Sequence, residues 1–417
     1  MGHDDFAIPR RKFLGLSLGG ALGLALGARP GFAEEEGPAR SVIVLNMAGG
    51  MSQTDTFDPK FGHKNAGPLK AIKTAGGYQL SELLPRLADQ GAHLSLIRSM
   101  ATREGAHERA RHLVHTGYAP SGTVRHPDLG SLVAQATHDP GQELPNYVHV
   151  GGTAIGAGFL GVDYQPFAVA DPTKPVANLG YPKGVDARRF GRRRRLLEAI
   201  EKRFRKAHPG DETEALTKVY QRADKLMHSP KVAAFDLSQE TQATRESYGE
   251  GRFGQGCLMA RRLVEAGARA VEVELGGWDT HEDNFTKNRM LAAQLDAGFG
   301  GLLADLAQRD LLKRTVVVVT SEFGRTPSIN ARDGRDHFAN GWTVALAGGS
   351  IQGGRVVGET TGDGLKVAKR PIGASDLMAT LFKALELDPD QTNYTREGRP
   401  LRAVDKSGKV ISELFAS

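Results

Sequence analysis

Cysteine is nearly absent: Cys257 stands alone among 417 residues. A disulfide within the chain is therefore impossible, and so is a zinc site built from several thiolates. Cys257 lies in the apolar-periodic stretch Phe253 to Ala266, which predicts a helix with a buried, structural thiol. Long hydrophobic runs are scarce too. One stands out, Leu14 to Gly27, and it falls short of the ~20 residues a membrane-spanning helix needs. No internal repeat or low-complexity segment is present. What remains is an ordinary globular mixture, 40% hydrophobic and 24% charged, with ample material for a large core.

The net charge of +6 is concentrated in Arg10-Arg11-Lys12 and in the run Arg188 to Lys206. The second run reads as a solvated helix face, with no nucleic-acid partner expected. The first belongs to an address. Paired arginines precede the apolar run, and Arg29-Pro30-Gly31-Phe32-Ala33 supplies a small-residue cleavage site. Together they predict a twin-arginine export signal over residues 1–33, recognised by the twin-arginine export machinery. An uncleaved anchor is the alternative. No cysteine follows the run, which excludes lipoprotein attachment. The expected product begins near Glu34, lies in the periplasm or outside the cell, and has no stable membrane insertion.

Strands and helices alternate along the rest. Ser41 to Met47, Leu94 to Arg98, Tyr147 to Val150, Ala270 to Leu275, Thr315 to Thr320 and Trp342 to Ala347 read as strands. Ala106 to Thr116, Arg193 to Met227 (broken at His208-Pro209-Gly210), Asn284 to Arg309 and Ser375 to Leu385 read as helices. This order predicts an α/β fold, a mostly parallel central sheet with helices on both faces. Residues 34–417 are expected to form a single domain, with an irregular excursion near 151–183 and a helical insertion near 188–250.

Ligands of such sheets sit beyond the carboxyl ends of the strands. Polar residues gather at four such places: Ser52, Thr54, Asp55 and Asp58 after the first strand; Asp279 and His281 after Ala270–Leu275; Glu322 and Arg325 after Thr315–Thr320; and Asp336 and His337 before Trp342. Carboxylates and imidazoles converging from adjacent strand ends suit a divalent ion such as zinc or manganese. Any one of them alone is better explained as a cap or a packed polar group.

Six segments carry a resemblance: GGMSQTDTFDPK, RSMATREGAH, GGWDTHEDNF, SEFGRTPSIN, GRDH and the tail REGRPLRAVDKSGKVISELF. They are similar to a twin-arginine-exported family of unassigned function grouped with the alkaline phosphatases and sulfatases. The resemblance implies that Asp279, His281 and His337 occupy metal-ligand places of alkaline phosphatases. It implies the same for Glu322, which stands where sulfatases carry a metal-binding Asp; Phe323 is a departure. Two further departures matter. The first strand ends in Ala48-Gly49-Gly50, where relatives in the superfamily carry aspartates. His107 stands at the sulfatase nucleophile position, which excludes a formylglycine mechanism there.

The implied chemistry is hydrolysis of a phosphate or sulfate ester. A divalent ion (zinc, manganese or calcium) would polarise the ester oxygen and acidify a bound water. His107 is expected to act as nucleophile, general acid or base, or further ligand. Arg111 and Arg325 are expected to hold the anionic group. Ser52 and Thr54 are reserve nucleophiles or, equally, turn residues. Asp55 or Asp58 is expected to close the first-strand side, and Asp336 to bind the ion or orient His337. The competing reading is a non-catalytic protein that binds envelope polysaccharide or an exported protein; the missing first-strand aspartates and nucleophile favour it.

Overall fold

The computed structural model of the protein describes residues 41–207 and 211–416. The expected export signal and the expected break at His208 to Gly210 lie outside the described residues. Those from 41 onward belong to one compact unit, Pro38–Ser417.

Strand β1 (Ser41–Asn46) is buried along its whole length. That is the pattern of a strand covered on both sides, where alternation of polar and apolar residues gives way to a continuous β-branched run. Val42 and Val44 point into one core, Ile43 and Leu45 into the other. The remaining strands of the sheet are β2 (Leu94–Met100), β3 (Tyr147–Val150), β4 (Phe167–Val169), β5 (Ala270–Glu274), β6 (Thr315–Thr320), β7 (Trp342–Ala347) and β8 (Val356–Val357). Their order is β8-β2-β7-β6-β1-β5-β3-β4. β1 pairs in parallel with β5 and β6, Val44 facing Glu272 on one side and Val318 on the other. β7 alone among the eight runs antiparallel to its neighbours β2 and β6. β4 lies inside the stretch expected to be irregular and extends the sheet beside β3.

The helices that matter here are α1 (His107–Thr116), α2 (Leu129–Ala136), α3 (Ala187–Ala207), α4 (Asp211–His228), α5 (Arg252–Glu265), α6 (Asn284–Gln308) and α7 (Ala374–Ala384). One face of the sheet is covered by α5 and α6 through residues such as Leu258, Leu263, Leu295 and Phe299. The other is covered by α1, α2 and α7 through Val114, Leu132, Leu377 and Phe382. Cys257 is fully buried in α5, and burial pushes its thiol up. Arg192 to Arg195 are exposed on α3.

The direction of β7 sets the geometry of the site. Because β7 is antiparallel, the residues before it reach the same sheet edge as those that follow β2, β6, β1 and β5. Five chain segments therefore meet at one edge. A two-residue ribbon, in which His337 pairs with Arg325 and Phe338 with Gly324, ties the approach to β7 to the segment leaving β6.

Candidate metal centre

Three imidazoles converge on one carboxylate oxygen at this edge. The Nε2 atoms of His107, His281 and His337 lie 3.5, 3.2 and 3.4 Å from Asp279 Oδ1. A tetrahedral ion bound at ~2.0–2.1 Å separates its ligand atoms by about 3.3 Å, so each imidazole stands at about that separation from Asp279 Oδ1. His107, Asp279 and His337 offer ligand atoms that all lie within 4.8 Å of one another, the one such group among the described residues; His281 meets Asp279 from outside that group.

The proton positions make the convergence informative. His107 Nδ1 lies 2.7 Å from Glu322 Oε1, His281 Nδ1 2.8 Å from Asp336 Oδ1, and His337 Nδ1 2.8 Å from the carbonyl of Gly105. A carbonyl oxygen only accepts, and so does an ionised carboxylate, which assigns the proton to each Nδ1. In the neutral ring the lone pair then sits on Nε2 and faces the Asp279 oxygen. Lone pair against anion is repulsive unless a cation or protons lie between them. The Nε2 atoms of His107 and His337 are buried and have no hydrogen-bond partner, as atoms awaiting an ion would be.

Each element places its side chain for a local reason. His107 is the first residue of α1, and Glu322 draws its ring toward the sheet edge. Phe323 supports the rings of His107 and His337, at centroid distances of 4.8 and 4.6 Å. Arg325 is fully buried and donates to Asp279 Oδ1 and to the carbonyls of Gly49 and Gly50. Burial alone would raise the Asp279 carboxyl, but the Arg325 hydrogen bond and charge outweigh it and hold it low. Glu322 is likewise raised by burial and lowered further by His107 and by the Gly49 N–H, 2.9 Å away. The hydrogen bond that His107 donates to Glu322 in turn raises His107. Asp279 keeps 49% of its side chain exposed, which leaves the centre open on one side.

Residues 39–415 match the family described as "Protein of unknown function (DUF1501)". The chain belongs to the DUF1501 family. No curated protein matches it. Among solved structures it is similar to the PsFucS1 sulfatase from Pseudoalteromonas sp., at 12% identity and a TM-score of 0.42, covering 91% of this chain and 72% of that one. It is similar also to an alkaline phosphatase superfamily protein from Vibrio parahaemolyticus, at 11% identity and a TM-score of 0.38, covering 92% and 76%. A third is the phosphonate monoester hydrolase SpPMH from Silicibacter pomeroyi, at 11% identity and a TM-score of 0.41, covering 90% and 77%. Likenesses this distant carry no activity over to the DUF1501 chain.

Several residues expected at the centre are placed elsewhere in this DUF1501 protein. Asp55 is fully buried in a two-pronged pair with Arg335, at 2.8 and 2.9 Å, and also accepts from Asn284 Nδ2. Its oxygens are used up, so it closes no ligand shell. Asp58 pairs with Lys60 and accepts from Thr360. Ser52 is buried, and its Oγ accepts the Asp55 N–H as a turn residue. Thr54 is buried as well. Arg325 spends its guanidinium on protein oxygens and so holds Asp279 in place of a ligand anion. Arg111 donates to Glu274 and to the Thr153 carbonyl, tying α1 to the end of β5. Glu322 and Asp336 lie at the centre, and each is hydrogen-bonded to an Nδ1; Asp336 orients His281, not His337.

The first-strand aspartates are replaced by backbone. Gly49 donates its N–H to Glu322 and its carbonyl accepts from Arg325. Its φ is +115°, and an added Cβ would stand 2.6 Å from the Asp279 nitrogen. Only glycine allows the two chains to approach this closely.

A buried polar network beneath α1 was not apparent in the sequence reading. Glu272, in the middle of β5, lies 3.2 Å from His115 Nε2 and 3.5 Å from His149 Nε2, and accepts from Tyr147 at 2.9 Å. Tyr147 is also within 3.2 Å of Asp128, which caps α2. The available signal was an imidazole, His149, and a carboxylate, Glu272, in the middle of two strands buried at those positions. A cavity of about 710 Å³ between Pro172–Leu179 and Val232–Gln255 includes none of the centre's residues in its wall.

Proposed function

We propose that this protein is an exported, divalent-metal-dependent hydrolase of phosphate or sulfate esters. The observation that carries the reading is the set of three Nε2 atoms turned on Asp279 Oδ1, each imidazole fixed from behind by an acceptor. His107, His281, His337 and Asp279 would hold the ion. A set of three nitrogens and one oxygen favours zinc, or manganese, over calcium, which takes six to eight oxygens. A bound ion supplies Lewis acidity toward an ester oxygen.

The chain's own residues do the positioning. Glu322 and Asp336 keep the Nδ1 protons of His107 and His281 in place. Arg325 fixes Asp279 and lowers its basicity. Phe323 closes one side of the centre with an apolar ring, while the exposed edge of Asp279 leaves room for a ligand. Ser52 and Thr54, buried away from solvent, supply no nucleophile in this reading, so the attacking group is water. Export by the twin-arginine route completes the proposal and rests on Arg10, Arg11 and the apolar run after them; a chain with both arginines replaced by lysine is expected to accumulate as cytoplasmic precursor.

The burial of Ser52 and Thr54 also favours the second reading, a metal protein that binds envelope polysaccharide without hydrolysis. Zinc- or manganese-loaded protein assayed on a panel of phosphate monoesters, phosphate diesters and sulfate esters separates the two. Turnover that chelation and Asp279→Ala both abolish supports the hydrolase. Metal-loaded protein that turns over none of them leaves the binding protein as the better reading.

A further inference from the structure

Helix α3 presents a surface that the metal centre does not use. Phe190 packs on Tyr181 at 5.1 Å, Arg194 pairs with Asp224 and Glu198, and Leu197 is half-buried. Positions 190, 194, 197 and 201 fall on one side of a helix, so this is the side docked on the rest of the protein. Leu196 and Ile200 form an adjoining stripe at i and i+4, and they are 64% and 56% exposed. Isolated exposed leucines need no explanation, but large apolar side chains in register on one helix, set among clustered arginines, do.

Charge accompanies the stripe. The helix carries ten Lys and Arg against two acids, Glu198 and Glu201, a net +8 where the whole chain carries +6. At 100° per residue Arg189, Arg193 and Arg203 project from the same sector as the stripe, and Arg192 borders it. Arg189, Arg192, Arg193 and Arg203 are all exposed.

We infer that this face of α3 is a docking surface for a bilayer rich in anionic phospholipid. A bilayer surface meets both features at once. The aliphatic side chains enter the boundary beneath the headgroups, and the arginine stems extend up to the phosphates. Nucleic acid would satisfy the guanidinium groups and leave Leu196 and Ile200 in water. The helix lies on the surface and does not cross it; no helix among the described residues is long and apolar enough to span a membrane. The surface does not depend on the metal centre.

Flotation of the full chain with vesicles tests this. Vesicles of phosphatidylcholine alone are compared with vesicles containing about one third phosphatidylglycerol. The chain is expected to float with the anionic vesicles and to bind them about tenfold more weakly at 0.5 M salt, where exposed charges are screened. The apolar run at residues 14–27 can itself bind lipid, so the deciding comparison is with the full-length double variants Leu196→Ser/Ile200→Ser and Arg192→Glu/Arg193→Glu. Each alters exposed side chains only and is expected to bind about tenfold or more weakly. Leu196→Trp adds a direct readout: the emission of the introduced indole shifts to the blue on anionic vesicles if the stripe is buried there, over a constant contribution from the buried Trp278 and Trp342. Equal flotation of wild type and both double variants would overturn the inference. So would an unshifted emission from the Leu196→Trp variant, or short duplex DNA that binds as tightly as the anionic vesicles and loses nothing with Leu196→Ser/Ile200→Ser.

Discussion

His107 and Glu322 face each other across 2.7 Å, and the contact joins the first residue of α1 to the segment leaving β6. Glu322 also takes the Gly49 N–H from the end of β1. One carboxylate thus aligns three chain segments and assigns the His107 proton to Nδ1. It stands where sulfatases are expected to carry a direct ligand, yet its oxygens are engaged behind the imidazole.

Glu322→Gln is therefore expected to weaken metal binding without removing a ligand atom. The neutral amide offers His107 one acceptor of lower basicity and leaves Gly49 or Ser321 less well matched. Loss of such a supporting hydrogen bond costs roughly 10–100-fold in affinity. Competition with a chromophoric chelator measures it. An unchanged affinity would show that Glu322 does not position His107.

The Asp55–Arg335 pair is fully buried at both ends. Arg335→Met leaves Asp55 an uncompensated anion in the core, a change that typically costs about 3–5 kcal/mol. Chemical denaturation in urea, monitored in the presence of chelator, should show a loss of that order. A loss below about 1 kcal/mol would mean that water reaches Asp55 on removal of its partner.

Beneath α1, burial opposes the charge of both His115 and Glu272, but their mutual attraction prevails: His115 is raised and Glu272 is held well below the ordinary carboxyl range. The raised histidine stabilises fully below its unfolded value of about 6.5 and loses that contribution as pH rises through its folded value. The depressed glutamate stabilises above about 4.3 and loses its contribution as pH falls through its folded value. Both are present together between those limits. Melting temperature in the presence of chelator should accordingly fall from pH 6 to pH 9, and His115→Gln should flatten that fall. Parallel pH profiles for the two proteins would contradict the assignment of a charged pair.

The sheet was legible because β1 and β6 are continuous β-branched runs, and burial on both faces leaves no other reading of such runs. That Asp279, His281 and His337 gather at one end of the sheet was legible because they follow or precede strands. The antiparallel direction of β7 was not, since pairing direction depends on partners distant in sequence. Asp55 illustrates a second limit. Its position after β1 matches a ligand, but Arg335, 280 residues away, takes both its oxygens. Arg325 was singled out for the right place and a different task, because a guanidinium suits a ligand's oxygens and backbone carbonyls equally well. His115, His149 and Glu272 escaped notice because they come from three elements far apart in the chain, and only the fold brings them together.

The central claim is that His107, His281, His337 and Asp279 bind a divalent ion. Elemental analysis of protein purified without chelators, by inductively coupled plasma mass spectrometry, tests it most directly, with His281→Ala and His337→Ala measured alongside. The expected result is about one zinc or manganese ion per chain in the wild type and a loss of most of it in each variant, with melting temperature in chelator unchanged. Wild-type protein that carries no metal and takes up none from micromolar zinc or manganese, or variants that keep the full metal content, would contradict it.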